Sequence, residues 1–234
     1  MANYADYTYN SKNLLKRYAH RKRFKKSKES IRIREGMKLL DFGCGDALFL
    51  NQLISESKAT VTLLGYEPFL ECISGNTAQI ETEWKKISVF VDRNGAFDYV
   101  TCFEVLEHFS EKKQREILEM ILPILSDQGS LIVSVPIEFG FPSVIKNIIR
   151  RFSDKSKRHI YSFKNIKSSF FKHSIPALRQ SNDYIFVHTG FYFQDLEKLF
   201  SSYYTIVKKT YSPLGFGGAG INSQVFYELR KNVL

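Results

Sequence analysis

At 234 residues, with 44% hydrophobic and 15% aromatic content, the chain can bury one sizeable core, which excludes a disordered or fibrous protein. No run approaches the roughly 18 apolar residues needed to cross a bilayer, and the amino terminus MANYADYTYN lacks the basic-then-apolar layout of a secretory signal, so a cytoplasmic location is expected. The net charge of +10 is uneven: residues 1–40 hold 12 Lys/Arg against 3 Asp/Glu, residues 146–179 hold 10 against 1, and the remainder is acidic at 12 against 20. Two basic attachments on an acidic body suit either solvated helical faces or flanks that draw an anionic partner to one site.

Residues 1–36 are tyrosine-rich and then basic, and Leu14, Leu15, Tyr18 and Phe24 recur at helical spacing, predicting an amphipathic helix with a basic outer face. The stretch KLLDFGCGDALFL, residues 38–50, reads as strand, tight turn and helix, the helix running to about Ser57. A second strand, TVTLLGYE, ends at Glu67, and Pro68 suits the start of a following helix over 69–86. ISVFVD predicts a third strand ending at Asp92, and FDYVTCF a fourth. A helix over 111–125, capped by Ser110 with Ile117, Leu118, Ile121 and Leu122 inward, precedes the continuous apolar strand SLIVSVP.

The rhythm then stops over 137–187, too long for a structureless loop, and a helical cap inserted over the sheet edge is expected there. The core resumes with GFYFQDLEKLF as a helix and YYTIVKKTY and SQVFYELRK as two strands. Alternating strands and helices predict an α/β fold: a doubly wound, seven-stranded, mostly parallel sheet with a basic amino-terminal helical segment, residues 1–36, and the cap after strand five. The three cysteines, Cys44, Cys72 and Cys102, lack metal or disulfide spacing, so no metal is expected.

In such a sheet, ligands lie beyond the carboxyl ends of the strands, where strand order reverses. Gly43 and Gly45 permit a tight turn and let a ligand approach bare backbone, and Asp41 at the strand end accepts from an amine or orders a water. A dinucleotide fingerprint needs a third glycine where Leu48 stands, and a P-loop needs Gly-Lys-Ser/Thr, so neither fits. What remains is D-x-G-x-G with an acid, Glu67, 22 residues after Gly45, placed to take both hydroxyls of a ribose.

LLDFGCGDALFL, the acid ending strand two and FDYVTCFEVLEHF together resemble the class I S-adenosylmethionine-dependent methyltransferases, particularly the small-molecule branch that includes the ubiquinone and menaquinone methyltransferases. The resemblance covers residues 37–135 and extends more loosely to HTGFYFQDLEKLF. It implies S-adenosyl-L-methionine as cofactor, with Gly43, Cys44 and Gly45 along its methionine part, Glu67 and Pro68 at the ribose, Asp92 at the adenine amine, and Cys102, Phe103, Glu104 and His108 lining the site. The turn departs from the family at Ala47, where a third glycine is frequent. RYAHRKRF is similar to a helix that closes over the cofactor in part of the family, which implies a carboxylate contact from Arg21 or Arg23.

Methyl transfer to a hydroxyl needs a proton acceptor, and His188 and His159 lead the five histidines for that role, with His108 a structural alternative. The expected reaction is methylation, at oxygen rather than nitrogen, of a small or medium anionic acceptor such as a sugar, sugar phosphate or lipid-linked intermediate. Phe139, Phe141, Phe152, Tyr161 and Phe163 would wall its pocket, with Arg150, Arg151 and Arg158 supplying charge. The competing readings are an RNA methyltransferase, and a non-catalytic cofactor-binding protein that docks on nucleic acid or a membrane surface.

Overall fold

Two-residue alternation along KLLDF puts Leu39 on one face of a sheet and Leu40 on the other, and both are fully buried. Each face is therefore covered by helices. The structure, a computed structural model, describes residues 14–68, 78–140, 143, 144, 147, 148, 151, 162, 167, 184, 185 and 190–232.

The strands are β1 (Lys38–Phe42), β2 (Thr62–Tyr66), β3 (Gln79–Glu81), β4 (Phe97–Phe103), β5 (Leu125–Pro136), β6 (Tyr204–Ser212) and β7 (Gln224–Lys231). They form one sheet in the order β3-β2-β1-β4-β5-β7-β6. All run parallel except β7, which is antiparallel to both its neighbours. Strand order reverses between β1 and β4, which opens a crevice beyond their carboxyl ends.

Helices α1 (Leu14–Glu29) and α2 (Leu48–Glu56) lie on the face of Leu39, where Met37, Phe49, Leu50 and Leu53 complete a core. On the opposite face, α3 (Trp84–Asn94), α4 (Glu111–Ile121) and α5 (Phe193–Phe200) pack against Leu40, Val100 and Leu131. Ser110 caps α4, its hydroxyl accepting from Lys113 N at 3.4 Å. Among the described residues, no helix is long and apolar enough to cross a membrane.

Three expectations fail here. ISVFVD is not a strand: it lies within α3, where Ile87 is fully buried and Trp84, Phe90 and Val91 pack against the core. The third strand is instead QIE, three residues that follow β2 through the pairs Leu64–Gln79 and Tyr66–Glu81. Along α1, Leu14 and Tyr18 do not form the inward face; they are 69% and 49% exposed, and Arg23 and Ser27 are buried instead. The helix docks through these polar groups together with Phe24, which packs on the core as expected, and a hydrophobic period does not register the polar part. The helix expected over 69–86 also fails where the chain is described, since Gln79–Glu81 is β3 and α3 begins only at Trp84; Cys72 and the rest of 69–77 lie outside the described residues.

Candidate active site

The crevice at the carboxyl ends of β1, β2 and β4 is shaped first by the glycine turn. Gly43 has φ of 75°, and its N–H and that of Cys44 both donate to the Tyr66 carbonyl, at 2.8 and 3.3 Å. A Cβ on Gly43 would lie 2.5 Å from a methyl of Val105, so both space and backbone geometry demand glycine. Gly45, φ 54°, is different: a Cβ there would meet nothing within 4 Å, which leaves its backbone open to a ligand. Ala47, where the family often has glycine, also adopts the left-handed conformation, φ 53° and ψ 22°, directly before α2.

The acids converge on this turn. Glu67, just past β2, accepts from Gly45 N at 3.0 Å, and its own N–H donates to the Glu81 carbonyl at 3.0 Å. Asp41, 4% exposed, accepts from Thr101 Oγ1 at 2.7 Å. Burial pushes the Asp41 carboxyl up to about 7, with the nearby Glu67 charge adding to the rise and the Thr101 hydrogen bond opposing it. Asp46 caps the approach to α2, its Oδ1 accepting from Leu48 N at 3.2 Å. Its buried Oδ2 has no hydrogen-bond partner among the described residues.

A raised folded-state pKa gives Asp41 a definite sign. Between the unfolded value near 3.8 and about 7, the folded state holds the proton more tightly, so this group's contribution favours folding at low pH and is lost as pH rises through that window. Asp41→Asn keeps an acceptor for Thr101 and removes the titration. Its stability relative to wild type is expected to improve by on the order of 2 to 4 kcal/mol between pH 4.5 and 7.5. Urea denaturation at the two pH values measures this, and a difference that does not change with pH contradicts it.

At the end of β4, Glu104 has φ of 57°, unusual for a residue with a side chain, and is pinned there. Its N–H donates to the Ser134 carbonyl at 2.9 Å, and its carboxylate pairs with Arg23 of α1 at 3.2 Å. Of the two arginines considered for this edge, Arg23 turns inward at 9% exposure, while Arg21 is exposed. Phe24 on α1, Phe49 on α2 and Phe103 on β4 form a ladder of rings beneath, with centroids 6.4 and 5.1 Å apart. Removing one partner of a partly buried pair strands the other charge. Arg23→Ala is therefore expected to destabilise by about 2 kcal/mol, while Lys25→Ala on the exposed side of α1 costs less than about 0.5 kcal/mol. Thermal or chemical unfolding distinguishes the two.

Other expected site residues divide clearly. Pro68 follows Glu67 at the surface. Cys44 brings only backbone to the turn, because its thiol is buried against Gly65, where a Cβ would lie 2.6 Å from Sγ. Cys102 is fully buried in the core on the far face, which corrects its expected place in the site's lining. Burial raises both thiols' pKa, so both stay protonated. Asp92 sits exposed in the last turn of α3 rather than at a strand end, so the premise for its adenine contact is removed.

His108 is clasped to the incoming chain: its ring Nδ1 lies 2.8 Å from the Ile185 carbonyl, its own carbonyl accepts from Ile185 N at 2.7 Å, and Tyr184 stacks on it at 4.5 Å. Phe139, expected as a pocket wall, is instead core, stacked on Phe193 at 5.4 Å. His159, His188, Phe141, Phe152, Tyr161, Phe163, Arg150 and Arg158 lie outside the described residues. Sequence reasoning missed Thr101 and Asp46; the signals were a hydroxyl inside the apolar run of β4 and an acid directly after the glycine turn.

A doubly wound α/β domain with an open glycine turn at its switch point, and an acid ending the next strand, belongs to the class that holds nucleoside-bearing ligands. The chain belongs to the methyltransferase-domain family, whose family model matches residues 14–207, and within it to the class I S-adenosylmethionine-dependent enzymes. It is 28% identical over 138 residues to the ubiquinone biosynthesis O-methyltransferases of Xanthomonas oryzae pv. oryzae and Xanthomonas campestris pv. campestris. The match takes in 55% of this chain and 56% of each relative, so the chain spans only about half the length of the curated relatives it matches. Among solved structures, the plantazolicin methyltransferase BpumL in complex with S-adenosylhomocysteine superposes with a TM-score of 0.58 at 16% identity, covering 98% of this chain and 89% of that one. The magnesium protoporphyrin IX methyltransferase of Synechocystis gives 0.55 at 12% identity, covering 95% and 89%. At such identities the likeness concerns the fold.

The residues present suit S-adenosylmethionine. Gly45 presents bare backbone with open space before it, its N–H already meets the Glu67 carboxylate, and the adjacent Asp46 has a buried Oδ2 with no partner among the described residues.

Proposed function

We propose that this enzyme transfers a methyl group to an oxygen of a small or medium-sized anionic acceptor. When bound, the cofactor supplies a methyl group activated on a sulfonium. Glu67 holds the ribose hydroxyls, with Gly43, Gly45 and the backbone of Cys44 along the methionine part. Asp41 faces the amine, and Arg23 the carboxylate. Phe103 and Glu104 bound the site on the β4 side, and α1 acts as a lid carrying Arg23.

The observation that carries the acceptor reading is the insert of 137–187 and where it is tied down. It leaves the sheet at the carboxyl end of β5 and is clasped to His108 through Ile185, next to the loop that bears Glu104. Within it, residues 146–179 carry ten cations and one acid. A segment so charged, anchored beside the crevice, suits recognition of an anion and exclusion of water. The proton of the acceptor hydroxyl passes to a histidine, either His159 within this segment or His188 directly after it.

Purified protein incubated with isotopically labelled S-adenosylmethionine and a panel of hydroxyaryl acids, sugar phosphates and short RNAs tests the reading. Label on an acceptor oxygen, with turnover falling at least about a hundredfold in His188→Ala or His159→Ala, supports it. Label on RNA alone, or on nitrogen, overturns it.

A further inference from the structure

Away from the crevice, α1 stands off from the sheet and leaves a cavity of about 500 Å³ between its carboxyl-terminal half and the face of β4, β7 and β6. Four cations line it: Lys26 from α1, Arg32 just after the helix, Lys208 from β6 and Arg230 from β7. None of the four belongs to an ion pair among the described residues. Neighbouring cations do find carboxylates: Lys28 pairs with Glu56, Arg34 with Asp98 and Lys231 with Asp127. Two carboxylates also line the cavity, Glu29, which pairs with Lys25 at 3.9 Å, and Glu228, which accepts from Ser130 Oγ at 3.3 Å, so the cations outnumber the acids two to one.

The remaining polar groups point to the same ligand chemistry. Tyr99 hydroxyl accepts from Arg32 N at 3.4 Å, and its own proton has no acceptor among the described residues. Thr210, also lining the cavity, makes no side-chain hydrogen bond there. The cavity floor is the buried edge of Phe226, 2% exposed. A concave site dominated by donors suits a ligand group that only accepts, and phosphoryl oxygens are that group. Clustered like charges inside a cleft repel one another unless a counter-charge joins them, and low-dielectric walls focus their field. The volume falls in the range of small-molecule sites, about 300 to 1,000 Å³.

We propose that this cavity is a binding site for a phosphate-bearing small molecule, separate from the cofactor crevice. Arg32, Lys208 and Arg230 grip the phosphates, and Lys26 closes the site from α1. The same helix carries Arg23 to the crevice one turn earlier, so an occupied cavity holds α1 against the sheet. A second, smaller recess of about 160 Å³ shares Lys26 and Glu29 with the first and adds Lys22 and Lys25 opposite Ser212 and Leu214, extending the cationic track along β6 toward the carboxyl edge. The proposal does not depend on which acceptor is methylated.

Calorimetric titration of the full chain with tripolyphosphate, at saturating S-adenosylhomocysteine and physiological salt, tests it. Saturable one-to-one binding is expected, weakened tenfold or more in a Lys208→Glu/Arg230→Glu variant whose S-adenosylhomocysteine affinity is unchanged. A Lys26→Gln/Arg32→Gln pair disrupts the site independently should the first pair impair folding. A Lys85→Glu/Lys112→Glu control, on α3 and α4 of the opposite face, should bind tripolyphosphate as wild type does. No saturable binding, competition with S-adenosylhomocysteine, or an equal loss in the control overturns the proposal. So does a short single-stranded RNA that binds more tightly than tripolyphosphate and is lost with the same variants, since the cavity would then serve nucleic acid.

Discussion

Glu67→Ala is expected to weaken S-adenosylhomocysteine binding by more than a hundredfold while leaving the fold intact. The carboxylate ends β2 half-buried and accepts from Gly45 N, so it both shapes the turn and faces the crevice. Hydrogen bonds to a charged group are worth about 1.5 to 3 kcal/mol each. Losing those to two ribose hydroxyls therefore exceeds the roughly 2.7 kcal/mol that a hundredfold requires. Glu67→Gln retains an acceptor and should lose less. Unfolding midpoints should move little, because Glu67 is half-buried and water can reach Gly45 N once the carboxylate is gone. Calorimetry of the two variants beside wild type checks this, and wild-type affinity in Glu67→Ala would remove the carboxylate from the site.

Gly43→Val is expected to cost more in folding than any change of an exposed residue, about 2 to 6 kcal/mol. Two costs add: a β-branched side chain at φ 75°, on the order of 1 to 3 kcal/mol, and a Cβ driven to 2.5 Å from the Val105 side chain, about 1 to 3 kcal/mol of overpacking. The two are separable. Gly43→Ala/Val105→Ala removes the collision and keeps the backbone strain, so it should be more stable than the sum of the single variants by about 1 kcal/mol or more. Strict additivity would mean that the clash is relieved by relaxation and that the conformation alone makes glycine necessary.

The parts of the fold that could be read in advance are those where pattern and packing agree. In KLLDF, Leu39 and Leu40 serve opposite cores, and SLIVSVP is buried on both faces because β5 lies mid-sheet. ISVFVD misled because its residues favour strands one by one, whereas Trp84, Ile87 and Val91 recur at helical spacing over the longer window and tertiary packing follows that period. The true β3 is three half-exposed residues, too short to leave a pattern. Asp92 was misplaced with it.

The site divides the same way. The tight turn at Gly43 and Gly45 and its convergence with Glu67 were legible because the chemistry of a turn and a strand-end acid is local. The Arg23–Glu104 pair joins residues 81 positions apart in the chain and buries charge where a hydrophobic count sees only a solvated helix. Cys102 shares β4 with Phe103 but points to the other face, which the strand's alternation already implied once the inward face of Leu40 and Val100 was known.

The crevice of β1, β2 and β4 is expected to hold the methyl donor. A crystal structure of the protein with S-adenosylhomocysteine tests it most directly. The predicted result is the ribose hydroxyls within hydrogen-bonding distance of Glu67, the methionine part against Gly43 and Gly45, and Arg23 released from Glu104 toward the carboxylate. A ligand bound elsewhere, with Glu67 facing solvent and the glycine turn empty, would contradict it.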